Sequence, residues 1–597
     1  MRLRFPTLLA CLTAGLLLAA PTKEQQRALD GAFAGIVKGG DRLGARDLAR
    51  YALEATAAGE APAKVAQALE LLRTQQELRP GHADFGNFRW YRGQPEVKDR
   101  NAVQFVCQNL VVLASAYGER LDGANATALR TLLTDAAQGS LRQPVRPNYT
   151  NIYLMKACNL VLLGQYLGDA SLTAQGRANL REFLAYTAVN GITEYNSTTY
   201  TGIDMDCAVQ LVKLARDPQD QATGRTLLRL FWTEVAVNWF APCARLGGSH
   251  SRDYNYLQGI GATDGQLAAN GWIQAAKPEA LGAEAAARTW LAPSEWTAGL
   301  RAELPRLVVQ RWGQGPGMTA THWLTKDYSV GTCGTSKAYD DKVYAVQFPG
   351  DRRSTMVYFT MESRQDPYGV SKEPDSNGHN KALHLRPSLV TVQNQGRTLL
   401  IAGDDTERPK HLRPVPELKG LWSHLVFPSD AVVCDREGRN IAPGPLPDPC
   451  VVFIRKGNVT LAVKAFSASG GGETRTPTPG IAYVRDGDKQ QAARITVEHG
   501  VGPHPGKGVF AFASETTVTA DDAAFRAFAQ AWGKETVFSR KGETATLTGG
   551  GLSATIDLAK NKILKTSGEA PLAPKQPISV NGRDIWTPLL AEAAAAD

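Results

Sequence analysis

The feature that most restricts the fold of this chain is a change of sequence period near residue 313. From about residue 24 to 312, apolar residues recur at spacings of three and four. Val103, Val106, Leu110, Leu113 and Tyr117 form one such set, Leu154, Cys158, Val161 and Leu162 a second, and Ile203, Cys207, Leu211 and Leu214 a third. That spacing places them on one face of a helix. Gly164, Gly168-Asp169 and Asp217-Pro218 punctuate the segments. The pattern predicts roughly ten helices of ordinary length, paired in a bundle, a solenoid or an α/α toroid. No fixed period marks a simple repeat solenoid. The glycine-rich stretch 313–317 is expected to break the last helix.

Short runs rich in β-branched and aromatic residues follow, at 342–348, 355–361, 388–393, 398–401, 450–455, 459–466, 481–484, 493–497 and 509–513, with one more stretch at 545–563. Gly- and Asp-rich turns separate them, which is the pattern of an antiparallel sandwich. Helices first and strands second predict an α+β multidomain chain.

Residues 1–20 have the layout of a secretory signal. Arg2 and Arg4 open it, an uncharged apolar run extends from Leu8 to Leu18, and small residues close it at Ala19-Ala20. The apolar run is shorter than the ~20 residues of a spanning helix. It also continues past Cys11, which argues against a lipidation site. The expected location is secreted or periplasmic, with no membrane span. The chain carries a formal charge of +8, and removal of Arg2 and Arg4 leaves +6. That excess fits an acidic partner. No dense Lys/Arg run marks a nucleic-acid surface. Seven cysteines follow the leader, at 107, 158, 207, 243, 333, 434 and 450, without a CxxC pair, so no metal site is expected. Cys434 and Cys450 flank a Pro/Gly-rich loop and are expected to bridge it.

Three segments of the helical half place polar and aromatic residues where a loop meets a helix. They are residues 147–151, with Tyr149 and Asn151; residues 191–200, with Glu194, Asn196 and Tyr200; and residues 247–256, with His250, Arg252 and Tyr254. Singly, each has a bland account: Asn151 caps a helix, Tyr200 packs its ring, His250 bonds within a loop. Together they predict a sugar-binding rim. A fourth segment, 86–91, offers Arg89 to pair with a carboxylate or sulfate and Trp90 to stack on a sugar ring.

Residues 147–205 resemble the heparinase II/III-like polysaccharide lyases. The shared elements are Asn151 at a helix start leading into Asn159-Leu160-Val161-Leu162-Leu163-Gly164, and then Gly191, Glu194, Ser197 and Tyr200 in order. In the β-half, His384 and Pro387 precede a strand, the turn Gly396-Arg397 and a second strand. The chain departs from the family in having Ile152 directly after Asn151 and in lacking the metal-type His and Asp residues that commonly follow the β-half histidine. The resemblance implies an α/α toroid catalytic domain over 21–312, a β-sandwich over 313–597, and β-elimination on a uronic-acid-containing glycan without a cofactor. It implies that Asn151 offsets the uronate carboxylate and that Tyr200 moves a proton. His250, His384 and His379 compete as the histidine base. A hydrolase on the same scaffold is the alternative, with opposed carboxyl groups drawn from Glu194, Asp204, Asp206 and Asp253. A non-catalytic glycan-binding protein is the third reading.

Overall fold

The computed structural model describes residues 21–596, apart from 255, 256, 258, 260, 275–281, 375–379, 383, 406–417, 470–479, 488, 489 and 570–575. The leader at 1–20 and His379 lie outside the described residues.

Among the described residues, nine long helices build the first half: α1 (Lys23–Lys38), α2 (Ala45–Ala58), α3 (Pro62–Thr74), α4 (Ala102–Ala116), α5 (Gly123–Arg142), α6 (Thr150–Leu167), α7 (Ala170–Asn190), α8 (Tyr200–Leu214) and α9 (Pro218–Asn238). They differ in how they are buried. In α6 every residue from Thr150 to Gly164 is buried. In α7 burial is confined to one stripe, including Leu172, Gly176, Leu180, Phe183 and Thr187. Accordingly α2, α4, α6 and α8 pack side by side as an inner ring, and α3, α5, α7 and α9 each lie outside the inner helix before them. The short helix Ala283–Arg288 touches both α8 and α2 and closes the ring. Gly176 permits a close approach of α7 to α6, since a Cβ there would sit 2.6 Å from the Val161 backbone nitrogen.

In the second half an eleven-stranded antiparallel sheet faces a six-stranded one. Val330, Val346, Phe359 and Leu425 of the first meet Leu389, Leu400, Leu461 and Phe512 of the second. The alternate residues of the six-stranded sheet, Val390, Ile401, Val509 and Ala511, pack outward on a four-stranded sheet spanning Val537–Lys541 to Lys562–Ser567. Both faces of the middle sheet are therefore dry, which period-two alternation of two apolar sets permits.

All the predicted β runs carry strands, but others escaped the sequence pattern, among them Arg306–Arg311, Met318–Leu324, Ser329–Gly334 and Gly420–Pro428. The first corrects the expected helix end. The last helix before the sheets is Ala298–Ala302, and Pro305 stops any continuation. Val308-Val309 then suit a strand. Arg306–Arg311 pairs on one side with Met318–Leu324 and on the other with Ile578–Val580, from near the end of the chain. Just beyond that strand, Trp586 is fully buried in the helical core, and its indole N–H donates to the Thr187 carbonyl at 3.2 Å.

The expected Cys434–Cys450 bridge is also corrected, since both thiols are free. Cys434 pairs with Phe453 across neighbouring strands, so Cys450 lies three residues further along, or ~10 Å at strand rise. The two side chains also belong to different cores on opposite faces of the sheet. That exceeds the span of a disulfide.

Candidate functional site

Three of the predicted loops do converge, and Arg252 is where they meet. Its guanidinium pairs with the Glu194 carboxylate at 3.0 Å. It donates to the Tyr200 hydroxyl at 2.9 Å and, from both Nε and Nη2, to the Tyr254 hydroxyl. The guanidinium carbon lies 4.5 Å from the Tyr200 ring centroid, a cation–π contact. The two tyrosine hydroxyls are 2.9 Å apart. Tyr149 stands on the same side, its hydroxyl acted on by both Arg252 and Glu194.

Each group is placed by a local cause. Glu194 sits at the start of α6 and accepts the Asn151 backbone N–H at 2.9 Å. That N–H is one of the helix's unsatisfied amino-terminal donors, and the helix dipole favours the negative charge. Asn151 is thus capped from a distant loop rather than capping the helix itself. Its own side-chain oxygen is buried and has no hydrogen-bond partner among the described residues. Tyr200 opens α8, where its N–H is held by the Ser197 hydroxyl at 3.0 Å. Arg252 adopts a left-handed backbone, φ +51°, which costs a non-glycine residue roughly 1–2 kcal/mol. The β-half offsets that strain. Asp341 accepts the Arg252 N–H at 3.0 Å, and the flanking backbone pairs His250 with Lys342 in both directions.

Arg252 exposes 17% of its side chain and Glu194 none, while Tyr149, Tyr200 and Tyr254 are half-buried. The cluster is an open polar rim on a closed base. Burial pushes the Tyr200 hydroxyl well above its ordinary value, and Arg252 pulls it back only partly. Burial likewise pushes Tyr254 up to about 12. Both hydroxyls therefore hold their protons at neutral pH.

The remaining predicted residues are placed elsewhere. Asn196 is buried beneath the rim, and its amide donates to the Gly247 and Ser249 carbonyls at 2.9 and 2.8 Å. His250 is fully buried, with Nδ1 on the Asn196 carbonyl at 3.1 Å and Nε2 beside the Gln347 amide at 3.5 Å. Burial lowers its ring to about 4, so it is neutral but shut away from the rim. The reason is the pairing of 249–253 with the 340–342 segment, which turns the imidazole inward. His384 is also buried, between the Thr360 hydroxyl at 2.9 Å and the Asp366 carbonyl at 3.1 Å. Nearby, Glu362 and His424 form a second buried pair at 2.9 Å, each with a fully covered side chain. Arg89 donates to the Gln94 and Thr74 carbonyls, and Trp90 donates to Asp99 at 3.0 Å while packing at a tilt against Phe105. These two shape their own loop.

Two residues escaped the sequence reading. Lys337 donates to the Asn148 carbonyl at 2.6 Å, joining the β-half to the rim, and burial pushes its ammonium down. Asp341 also accepts the Lys337 and Ala338 N–H groups, each at 2.8 Å, and fixes the loop facing Arg252. The one signal for them was the charged triplet Asp340-Asp341-Lys342 between strands. Among the described residues no group of three His, Cys, Asp or Glu side chains is arranged to hold a metal. No helix there is long and apolar enough to cross a membrane.

The family described as a domain of unknown function (DUF8769) matches residues 57–262, which include Asn151, Glu194, Tyr200, Arg252 and Tyr254. None of the curated proteins matches the chain. Among solved structures, the chain is similar to heparinase III at 11% identity, covering 85% of this chain and 81% of that one, with a TM-score of 0.40. It is similar to the chondroitin AC lyase of Streptomyces coelicolor A3, solved in complex with chondroitin sulphate, at 11% identity, covering 93% and 86%, with a TM-score of 0.46. At these scores the likeness is one of outline.

Proposed function

We propose that the chain is an exported polysaccharide lyase that cleaves a uronic-acid-containing glycan by β-elimination at the Tyr200–Arg252 rim. The observation that carries this reading is one partly exposed guanidinium held between two protonated tyrosine hydroxyls. A uronate α-proton becomes acidic only when the neighbouring carboxylate charge is offset. Arg252 is the cation on the open face that can offset it. Tyr200 then works as a shuttle. Its hydroxyl proton goes to the departing glycosidic oxygen, and its oxygen takes the proton from the α-carbon. The C–O bond breaks as the C=C bond forms, and the enzyme ends as it began. Tyr254, 2.9 Å away, stabilises the oxygen while its proton is in transit.

This route suits a hydroxyl that is protonated at rest and needs no separate histidine. The hydrolase alternative draws less support, because two opposed carboxyl groups must face the cleft. Glu194, Asp204 and Asp253 are all buried, at 1%, 0% and 0% exposure, and Asp206 lies beside Arg288. The test is an ultraviolet scan of reactions with a panel of uronate polysaccharides. Elimination creates a conjugated, absorbing double bond. Release of reducing ends without that absorbance sinks the lyase reading.

A further inference from the structure

Beside the rim lies a cavity of about 630 Å³, between the 97–101 loop and the 143–149 segment that carries Tyr149. Its polar wall is an ordered chain. The buried Lys156 ammonium donates to the Gln143 carbonyl at 2.8 Å, the Gln143 amide to Asn101 at 2.7 Å, and the Asn101 amide to the Tyr149 hydroxyl at 3.2 Å. The acids lining the cavity are already engaged. Asp84 accepts from Arg100 at 2.5 Å, and Asp99 accepts from the Trp90 indole at 3.0 Å and the Asn101 N–H at 2.9 Å. Of the cations, Arg100 is engaged with Asp84, but two others are not. Lys98 and Arg146 line the same cavity, are exposed, and make no side-chain hydrogen bond or ion pair among the described residues. With three cations against two acids in its lining, the cavity presents a net positive charge one tyrosine away from Arg252.

We propose that this cavity is a second anion subsite, in which Lys98 and Arg146 bind a carboxylate or sulfate on the sugar next to the one held at Arg252. The proposal rests on the lyase reading for its register, but the anion contact is separable from the chemistry. Its consequence is selectivity for glycans charged on adjacent sugars over those charged on alternate ones.

The test uses the full chain and three tetrasaccharides: an oligogalacturonate, an alternating uronate–N-acetylhexosamine, and the same alternating sugar sulfated on the hexosamine. Kd is read by calorimetry, and kcat and KM by ultraviolet absorbance. For the variant carrying both Lys98→Ala and Arg146→Ala, Kd and KM should rise by about ten-fold on the sugars charged at adjacent positions, a few-fold for each exposed charge contact. The rise should shrink as salt is added. Loss on the oligogalacturonate identifies carboxylate as the anion read, and loss on the sulfated sugar identifies sulfate. On the unsulfated alternating sugar the change should stay within about two-fold. An equal response on all three sugars, or binding of none at millimolar concentration, overturns the subsite. Turnover that ignores both substitutions sinks the subsite and keeps the lyase. Affinity that depends on them without any absorbance keeps the subsite and sinks the lyase.

Discussion

Two buried glutamates in this protein each hold a basic side chain, and the contrast between them separates an accessible group from an enclosed one. Glu194 meets Arg252 at 3.0 Å and Glu362 meets His424 at 2.9 Å. The Glu362–His424 pair is covered on all sides. The Thr496 hydroxyl lies 2.8 Å from the other ring nitrogen, and the Asp366 N–H donates to the carboxylate at 3.1 Å. Burial lowers the His424 ring despite Glu362, so at neutral pH a neutral imidazole donates to a carboxylate. Arg252 cannot neutralise itself in this way, and it keeps an exposed edge and two hydroxyls. Residue types are alike in the two places. Access and a permanent charge set them apart.

The sharpest break of this comparison is Tyr200→Phe, which removes one oxygen and keeps the ring over Arg252. Turnover should fall by about 10²–10⁴-fold, with a much smaller change in KM. Near-normal turnover would place the chemistry elsewhere.

Acidification probes the histidines of both regions. Burial lowers His250 to about 4, and His322 and His499 each to about 3, from 6.5. As pH falls below 6.5 the unfolded chain takes up these protons first, so it binds more protons than the folded chain. The stability they contribute is complete above pH 6.5 and is lost as pH falls toward 3–4. At neutral pH that contribution is roughly 3 kcal/mol for His250 and roughly 5 kcal/mol for each of His322 and His499. Denaturant titrations at pH 7 and pH 4.5 should therefore differ by several kcal/mol, and equal midpoints would refute neutral buried rings.

Glu362→Gln should cost about 1–3 kcal/mol in the same titration, because it weakens a buried hydrogen bond. The fraction of protein that stays folded should keep its kcat. A selective loss of kcat would promote this pair to the site. The smallest effect is expected from Arg89→Ala. Its guanidinium is committed to backbone carbonyls, so KM on an acidic glycan should move by less than about two-fold, as for a residue outside the contact.

What could be read from the sequence follows the range of the forces involved. Helices announced themselves because α4, α6 and α8 need apolar residues every three or four positions. Gly420–Pro428 did not, because all nine of its residues are buried and no alternation survives. Glu194, Tyr200, Arg252 and Tyr254 were legible as polar residues at loop–helix junctions, and Tyr149 with them. Arg89 and Trp90 looked equivalent at that level, but local turns had already claimed them. Nothing near His250 in the chain reveals that residues around 341 would turn it inward. Asp341 is bonded to a residue 89 positions away, and such a pairing leaves no local trace.

The pairing of Arg306–Arg311 with Ile578–Val580 has a consequence for biosynthesis. A ribosome emits about 270 residues between the two partners, at ~5–20 residues per second. Throughout that interval one edge of an early strand stays unpaired, and the Trp586 seat in the helical core stays vacant. The ring of helices can assemble as it emerges, but its seal against the sheet arrives almost last.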